Sequence, residues 1–279
     1  MTLPPFDLHR PQSLEEATQL LERYGDDAAL YCGGTELLLL LKLGFASFGQ
    51  LVDLKGIEEL RGLRADNGTL VIGAAATHRE VERDRLVLER LPALAAMERG
   101  VANIRVRTVG TLGGNLCFSD PHSDPATFLL ALDAEVECRR GSGPPRRVPI
   151  GEFTVGAYQT ALQPGELLTA VRVPVPPEGT RIVHRKLRFH ERPAVTVTCA
   201  VRSENGGVAD ARIAVGSVGV VPVRATEAER LLASGQPVTA AAEAAAGVAG
   251  AVEDANGSVE YKENLVRVLV ERALMEALA

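Results

Sequence analysis

Two short segments, Cys32-Gly33-Gly34-Thr35-Glu36 and Thr111-Leu112-Gly113-Gly114-Asn115, carry the residue types in this chain best suited to chemistry. They lie about 80 residues apart. Each joins Gly-Gly to short polar side chains, and a backbone without Cβ atoms can approach a pyrophosphate closely and donate its N–H groups to it. Two such segments suggest one phosphate-rich ligand held from both sides. Neither contains G-x-G-x-x-G or G-x-x-x-x-G-K-[ST], so such a ligand is held outside a Rossmann or P-loop frame.

The elements around these segments can be read from periodicity and punctuation. Ser13-Leu14-Glu15-Glu16 is a capping box, and Leu14, Ala17, Leu20 and Leu21 form an apolar stripe ending at Tyr24-Gly25. Residues 28–32 read as a short buried strand, Gly33-Gly34 as a turn, and 35–43 as a helix stopped by Gly44. Its leucine run, Leu37 to Leu41, reads as core. The first segment therefore opens a helix, where free N–H groups and the positive dipole end favour an anion. Strands are expected over 50–53 and 69–74, with Asp66-Asn67-Gly68 as a turn, and helical stretches over 78–81 and 91–97. The second segment follows residues 101–109. After it, Asp120-Pro121-His122-Ser123-Asp124-Pro125 leads into an apolar helix over 126–131.

Gly141-Ser142-Gly143-Pro144-Pro145 reads as a hairpin loop between strands over 135–138 and 147–150. A stronger boundary is Val173-Pro174-Val175-Pro176-Pro177-Glu178-Gly179, after which the texture changes. Residues 195–202 and 208–218 flank Asn205-Gly206 as a β-hairpin. Alanine-rich helices follow over 226–233, 239–252 and 258–278, and no short-period repeat is evident. Strand runs followed by helix runs, twice over, predict an α+β fold rather than a doubly wound parallel sheet.

Composition narrows the function classes. With 279 residues, 46% hydrophobic and 24% charged, the chain can bury a substantial core in about two domains. The leucine run is far shorter than a bilayer span, and the N-terminus lacks a basic region followed by an apolar one. No membrane span and a cytoplasmic location are expected. A net charge of −6 and a pI near 5.5 argue against nucleic acid as the partner, although Arg185-Lys186-Leu187-Arg188 is a local basic patch. Cys32, Cys117, Cys138 and Cys199 form no C-x-x-C, and the histidines at 9, 78, 122, 184 and 190 are scattered. No metal site is expected within the chain, and any redox chemistry belongs to a bound cofactor.

The Gly-Gly-Thr-Glu-Leu segment, Thr-Leu-Gly-Gly-Asn, the Ser-Asp-Pro after it and the stretch from Lys186 to Ala194 resemble the FAD-binding medium subunit of molybdenum hydroxylases. Carbon monoxide dehydrogenase and xanthine dehydrogenase are the reference members. The resemblance covers essentially the whole chain, in order. It implies a two-part FAD-binding domain of the PCMH type over 1–176, with subdomains about 1–55 and 56–176. A C-terminal α+β domain over 177–279 follows, with an antiparallel sheet and a helical bundle.

The implied cofactor is FAD. Cys32, Gly33, Gly34, Thr35, Glu36 and Leu37 match the family's first FAD loop, and Thr111, Gly113, Gly114 and Asn115 match the second. Both are implied to grip the pyrophosphate through backbone amides and small polar groups. Asp124 matches an acidic residue at the adenosine end, Val101, Ala102 and Leu168 match apolar positions along the cofactor, and Lys186 matches a basic residue near the flavin ring. Cys32 stands where alanine is common, and Glu36 where aspartate or serine is frequent. No catalytic residue is assigned.

The implied role is an electron-transfer subunit. Electrons from two [2Fe-2S] clusters on a small partner reach FAD here and pass to an external acceptor, while a large partner carries the molybdenum cofactor, as a dimer of heterotrimers. A nicotinamide, a quinone and oxygen are all compatible acceptors. Two other readings stand beside it: a self-contained flavoenzyme on the same scaffold, and a non-enzymatic nucleotide-binding interaction module. Individual residues also have plainer readings. Cys32 and Cys117 suit buried space-fillers, His122 a solvated loop, Asp120 a cap for the helix near Ala126, and Lys186 a solvated basic face.

Overall fold

The computed structural model describes residues 2–189 and 191–279; Met1 and His190, which figure in the N-terminal and histidine readings, lie outside them. The first strands, β1 (Asp7–His9), β2 (Ala28–Tyr31) and β3 (Gln50–Asp53), form a parallel sheet in the order β1-β3-β2. Parallel neighbours need crossover connections, and α1 (Leu14–Tyr24) and α2 (Leu37–Leu43) lie in them. Helix α1 begins as its sequence dictates: Ser13 Oγ accepts from Glu16 N at 3.2 Å, and Glu16 Oε2 accepts from Gln12 N at 2.7 Å.

A five-stranded antiparallel sheet follows. It is made of β4 (Leu63–Asp66), β5 (Thr69–Gly73), β6 (Glu135–Arg139), β7 (Arg146–Pro149) and, after the short pair β8 (Thr154–Gly156) and β9 (Gln159–Thr160), β10 (Leu167–Pro174). Its order is β4-β5-β10-β6-β7, so β10 closes the gap between two hairpins. Between β5 and β6 run α3 (His78–Arg83), α4 (Arg85–Arg90), α5 (Pro92–Gly100), α6 (Ile104–Val109), α7 (Leu112–Phe118) and α8 (Asp124–Ala131), and α9 (Ile150–Phe153) follows β7.

The last sheet contains β11 (Thr180–Arg188), β12 (Pro193–Glu204), β13 (Gly207–Gly216) and β14 (Val223–Arg224) in sequence order. Asn205 and Gly206, at φ 50° and 79°, make the tight turn that the Asn-Gly pair predicts. Helices α10 (Thr226–Ala233), α11 (Val238–Val248) and α12 (Val259–Leu278) cover one face, burying Ala241, Ala242 and Ala245 against Val270 and Leu274 in a core of their own. Every residue of α8 is buried. Gly216 has no side chain to meet Thr127, so α8 lies directly on β13 and joins the two sheets.

The α+β architecture matches expectation, but several local readings need correction. The leucine run of α2 is not core: only Leu41 is buried, Leu39 is exposed, and Leu37 and Leu40 face a cavity. That helix starts at Leu37 rather than Thr35, and α11 ends at Val248 rather than residue 252. Thr111-Leu112-Gly113-Gly114-Asn115 is not a loop but the cap and first turn of α7, a case of tertiary packing overriding glycine's poor helix propensity. Asp120 does not cap the next helix, whose N-cap position is Ser123. Among the described residues, no helix is long and apolar enough to cross a membrane.

Candidate functional site

Residues from distant parts of the chain line one cavity of about 340 Å³. The first segment contributes Cys32, Gly33, Gly34, Thr35, Glu36 and Leu37, and the second contributes Thr111, Gly113, Gly114 and Asn115. Val101, Ala102, Asp124 and Leu168 line it too. Lys186 does not line it; this side chain stands behind Asp124.

The first segment is set by β2 on one side and α2 on the other. Gly34 has φ 69°, a left-handed conformation, and a Cβ there would strike the Tyr31 ring. Glycine is required at this position twice over. Gly33 packs on the backbone of Val109 and Gly110, with Gly110 Cα only 2.6 Å from where a Cβ would stand. The two segments therefore cross in contact. Among the described residues, the backbone N–H groups of Gly33, Gly34, Thr35 and Glu36 have no acceptor. Four consecutive unpaired donors on half-buried residues beside a cavity fit an anion, which successive backbone N–H groups can bind together.

The second segment differs. Leu112 N donates to Ala76 O and Gly113 N to Ala74 O, both at 3.0 Å, while Gly114 N goes to Thr111 Oγ1 and Asn115 N to Thr111 O. In contrast to the expected pair of amide grips, these amides are already used within the fold. What this segment presents is side chain. Asn115 Oδ1 accepts from Ser123 Oγ at 2.6 Å, which leaves its NH2 group free to donate. Gly113 is needed for packing, since a Cβ would stand 2.6 Å from Ala74 O.

Asp124 is 4% exposed and faces Lys186 and His184 on β11. Lys186 Nζ donates to its Oδ2 at 2.5 Å and to Gly100 O at 2.6 Å, and His184 Nε2 is 3.6 Å from Oδ1. Burial alone would push the Asp124 carboxyl up, but His184 and Lys186 together outweigh it and hold it below the usual range. Lys186 is thus part of a buried pair rather than a solvated basic face.

A residue that sequence reasoning did not single out closes the arrangement. Arg192, from the turn entering β12, donates to Glu36 Oε2 at 2.9 Å and pairs with Asp120, so it ties the first segment to the residues after the second. The only signal for it was a charged pair, Glu191-Arg192, ahead of a strand. Asp120 also accepts from His122 N at 2.9 Å, and the His122 ring reaches Asp254 Oδ2 at 3.3 Å. Asp254 in turn holds Lys262 of α12 at 2.7 Å. His122 is therefore anchored rather than loose. Burial pushes the thiols of Cys32 and Cys117 up, Cys117 to about 12, which suits packing and not redox exchange.

Comparison with known proteins points one way. A family model described as the FAD binding domain in molybdopterin dehydrogenase matches residues 4–176, and one described as the CO dehydrogenase flavoprotein C-terminal domain matches 184–277. The carbon monoxide dehydrogenase medium chain of Hydrogenophaga pseudoflava is 35% identical over 285 residues, covering 100% of this chain and 99% of that protein. The 6-hydroxypseudooxynicotine dehydrogenase complex subunit alpha of Paenarthrobacter nicotinovorans is 32% identical, covering 100% and 96%. Among solved structures, a carbon monoxide dehydrogenase from Hydrogenophaga pseudoflava that lacks the Mo-pyranopterin moiety superposes with a TM-score of 0.95 at 35% identity, covering 99% and 98% of the two chains. Quinoline 2-oxidoreductase from Pseudomonas putida 86 gives 0.92 at 29% identity, covering 100% and 98%.

Proposed function

The chain belongs to the family of FAD-binding medium subunits of molybdenum hydroxylases, and from that premise we propose that its cavity holds FAD with the pyrophosphate on the unpaired amides of residues 33–36. It is an FAD-carrying electron-transfer subunit of an oxidoreductase complex whose other subunits carry iron–sulfur clusters and the molybdenum cofactor. The observation that carries the placement is the row of four free N–H groups where the segments cross. In this reading the complex is a dimer of heterotrimers working in the cytoplasm, and the chain divides at 1–176 and 177–279.

FAD, when bound, supplies the capacity to take electrons one at a time from iron–sulfur clusters and release them as a pair. The chain's residues do the holding. Amides of 33–36 and the Asn115 NH2 group bind phosphate oxygens, while Val101, Ala102 and Leu168 exclude water along the cavity. Asp124, kept ionised by His184 and Lys186, has Oδ1 buried and Oδ2 accepting from Lys186, so any hydrogen bond it accepts from a cofactor hydroxyl falls to Oδ2. Arg192 fastens the first segment to Asp120 across the site.

Replacing Arg192 by alanine removes that fastening. Because its side chain is 46% exposed, the cost in stability is expected to stay within about 1 kcal/mol. Flavin loss on gel filtration should nonetheless quicken several-fold, measured as the ratio of flavin to protein absorbance. For the function as a whole, the native complex is purified and its visible spectrum, iron and molybdenum measured. Flavin, iron and molybdenum together are expected, and folded protein that neither contains nor takes up FAD overturns the assignment.

A further inference from the structure

One large side chain beside the cavity stands on a backbone conformation that does not suit it. Among the described residues, seven other than glycine have positive φ: three are Asn or Asp, three are Ala or Ser, and the seventh is Tyr158, at 58°. Asn and Asp tolerate that region, whereas a bulky residue is crowded there. Tyr158 is the second of the two residues, Ala157 and Tyr158, that join β8 to β9, a place where φ above zero favours glycine or asparagine. It is 57% exposed, so burial does little to offset the strain. Strain of this kind persists where the surrounding structure imposes it, and it concentrates at ligand clamps.

The neighbours of the turn impose it. Tyr158 N donates to Ser119 O at 2.8 Å, and Ser119 Oγ lies 3.0 Å from Gly156 O and 3.1 Å from Gln159 O, on either side of the turn. Ser119 is 4% exposed and closes α7, the helix that the second glycine segment opens. The turn is thereby tied to the end of that helix, and Tyr158 meets two residues that line the cavity. Its ring packs edge to face on Phe118, with centroids 5.2 Å apart. Its hydroxyl lies against the Arg192 side chain, which pairs with Asp120 and Glu36. Glycine in its place would ease the backbone and remove both contacts.

We propose that Tyr158 is a positioning residue of this site: braced by Phe118, it steadies Arg192 across the cavity and slows the release of FAD. The inference rests on the reading that FAD occupies the cavity. Arg192 is a long side chain, 46% exposed, and holding Glu36 and Asp120 at once costs it rotamer freedom. A hydroxyl fixed beside it on a rigid ring limits the orientations it can take, so less freedom remains to be lost. Tyr158 acts through Arg192, and the part of its effect that comes from the hydroxyl vanishes where Arg192 is absent.

The test uses the full chain loaded with FAD and follows the flavin that passes an ultrafiltration membrane after dilution. Tyr158→Gly is expected to release flavin roughly two- to tenfold faster, the span of one lost aromatic pair. The FAD-free variant is expected to melt no lower than wild type, because glycine relieves the left-handed backbone. Unchanged release overturns the proposal, and so does faster release with a lower melting temperature of the FAD-free chain, the mark of a merely structural turn. Tyr158→Phe keeps the ring and removes only the hydroxyl. It should quicken release on its own and change nothing further when combined with Arg192→Ala; the same factor in both backgrounds overturns the proposal. A folded chain that binds no FAD overturns both this and the reading beneath it, whereas FAD binding with release unaltered by either variant overturns this inference alone.

Discussion

Replacing Gly33 by alanine is expected to strip the chain of its flavin. The added methyl would meet the Val109 carbonyl and stand 2.6 Å from Gly110 Cα, both backbone atoms with no rotamer in which to retreat. Room can come only from moving the first segment off residues 109 and 110, which spreads the donors to which the proposed pyrophosphate site is assigned. Overpacking of this kind costs about 1–3 kcal/mol, and if it falls on the bound state it weakens FAD roughly ten- to hundredfold. Gly114 provides the internal control. A Cβ there meets only Thr111 Oγ1 at 2.8 Å, the far end of a small side chain, so Gly114→Ala should retain more flavin than Gly33→Ala. Flavin absorbance after purification, with thermal unfolding of each protein, measures both effects. Equal retention by the two variants would remove the crossing point from the account of binding.

The second large effect is expected at Lys186. Its partner Asp124 is 4% exposed, and taking one member from a buried ion pair costs about 3–5 kcal/mol because the other charge stays behind. Lys186→Met should therefore destabilise the chain strongly at neutral pH. The pH dependence separates this from a simple packing loss. In the wild type the Asp124 carboxyl is held below its unfolded value, so its contribution is complete above about pH 4 and is lost as pH falls through the folded value. Without Lys186, burial dominates and the carboxyl moves up; the folded state then binds the proton more tightly, and stability falls as pH rises from about 4 towards neutrality. Urea unfolding at about pH 5 and pH 7 should show the variant closer to wild type at the lower value. The double variant Asp124→Asn with Lys186→Met should recover much of the loss at pH 7, since no uncompensated charge remains.

Local chemistry was legible in the sequence wherever it was strictly local. The Ser13 cap and the Asn205-Gly206 turn follow from neighbours a few residues apart, and both form as the residues dictate. The glycine segments were visible because only glycine serves at Gly34 and at the Gly33 contact. What stayed hidden depends on distant partners. Strand β11 reads as a basic patch, and becomes a strand because β12 pairs with it and Asp124 takes its lysine. The leucines of α2 look like core in a linear reading, yet a cavity takes the face where a core would be. That the amides of Leu112 and Gly113 are used up follows from Ala76 and Ala74, more than 30 residues earlier, while Thr111 takes those of Gly114 and Asn115.

The Arg192 fastening has a consequence for how the protein is made. It joins Glu36, 156 residues earlier, to Asp120, 72 residues earlier, and its neighbour Pro193 begins a strand that needs β13 beside it. A chain emerging at about 5–20 residues per second therefore exposes both glycine segments well before anything can close over them. On the proposed placement, flavin captured at that stage would be held by the amides of residues 33–36 without the Arg192 fastening. With the pyrophosphate placed as proposed, secure incorporation is expected to wait until the last sheet has folded, and truncation within that sheet is expected to leave the glycine segments intact but the flavin easily washed away.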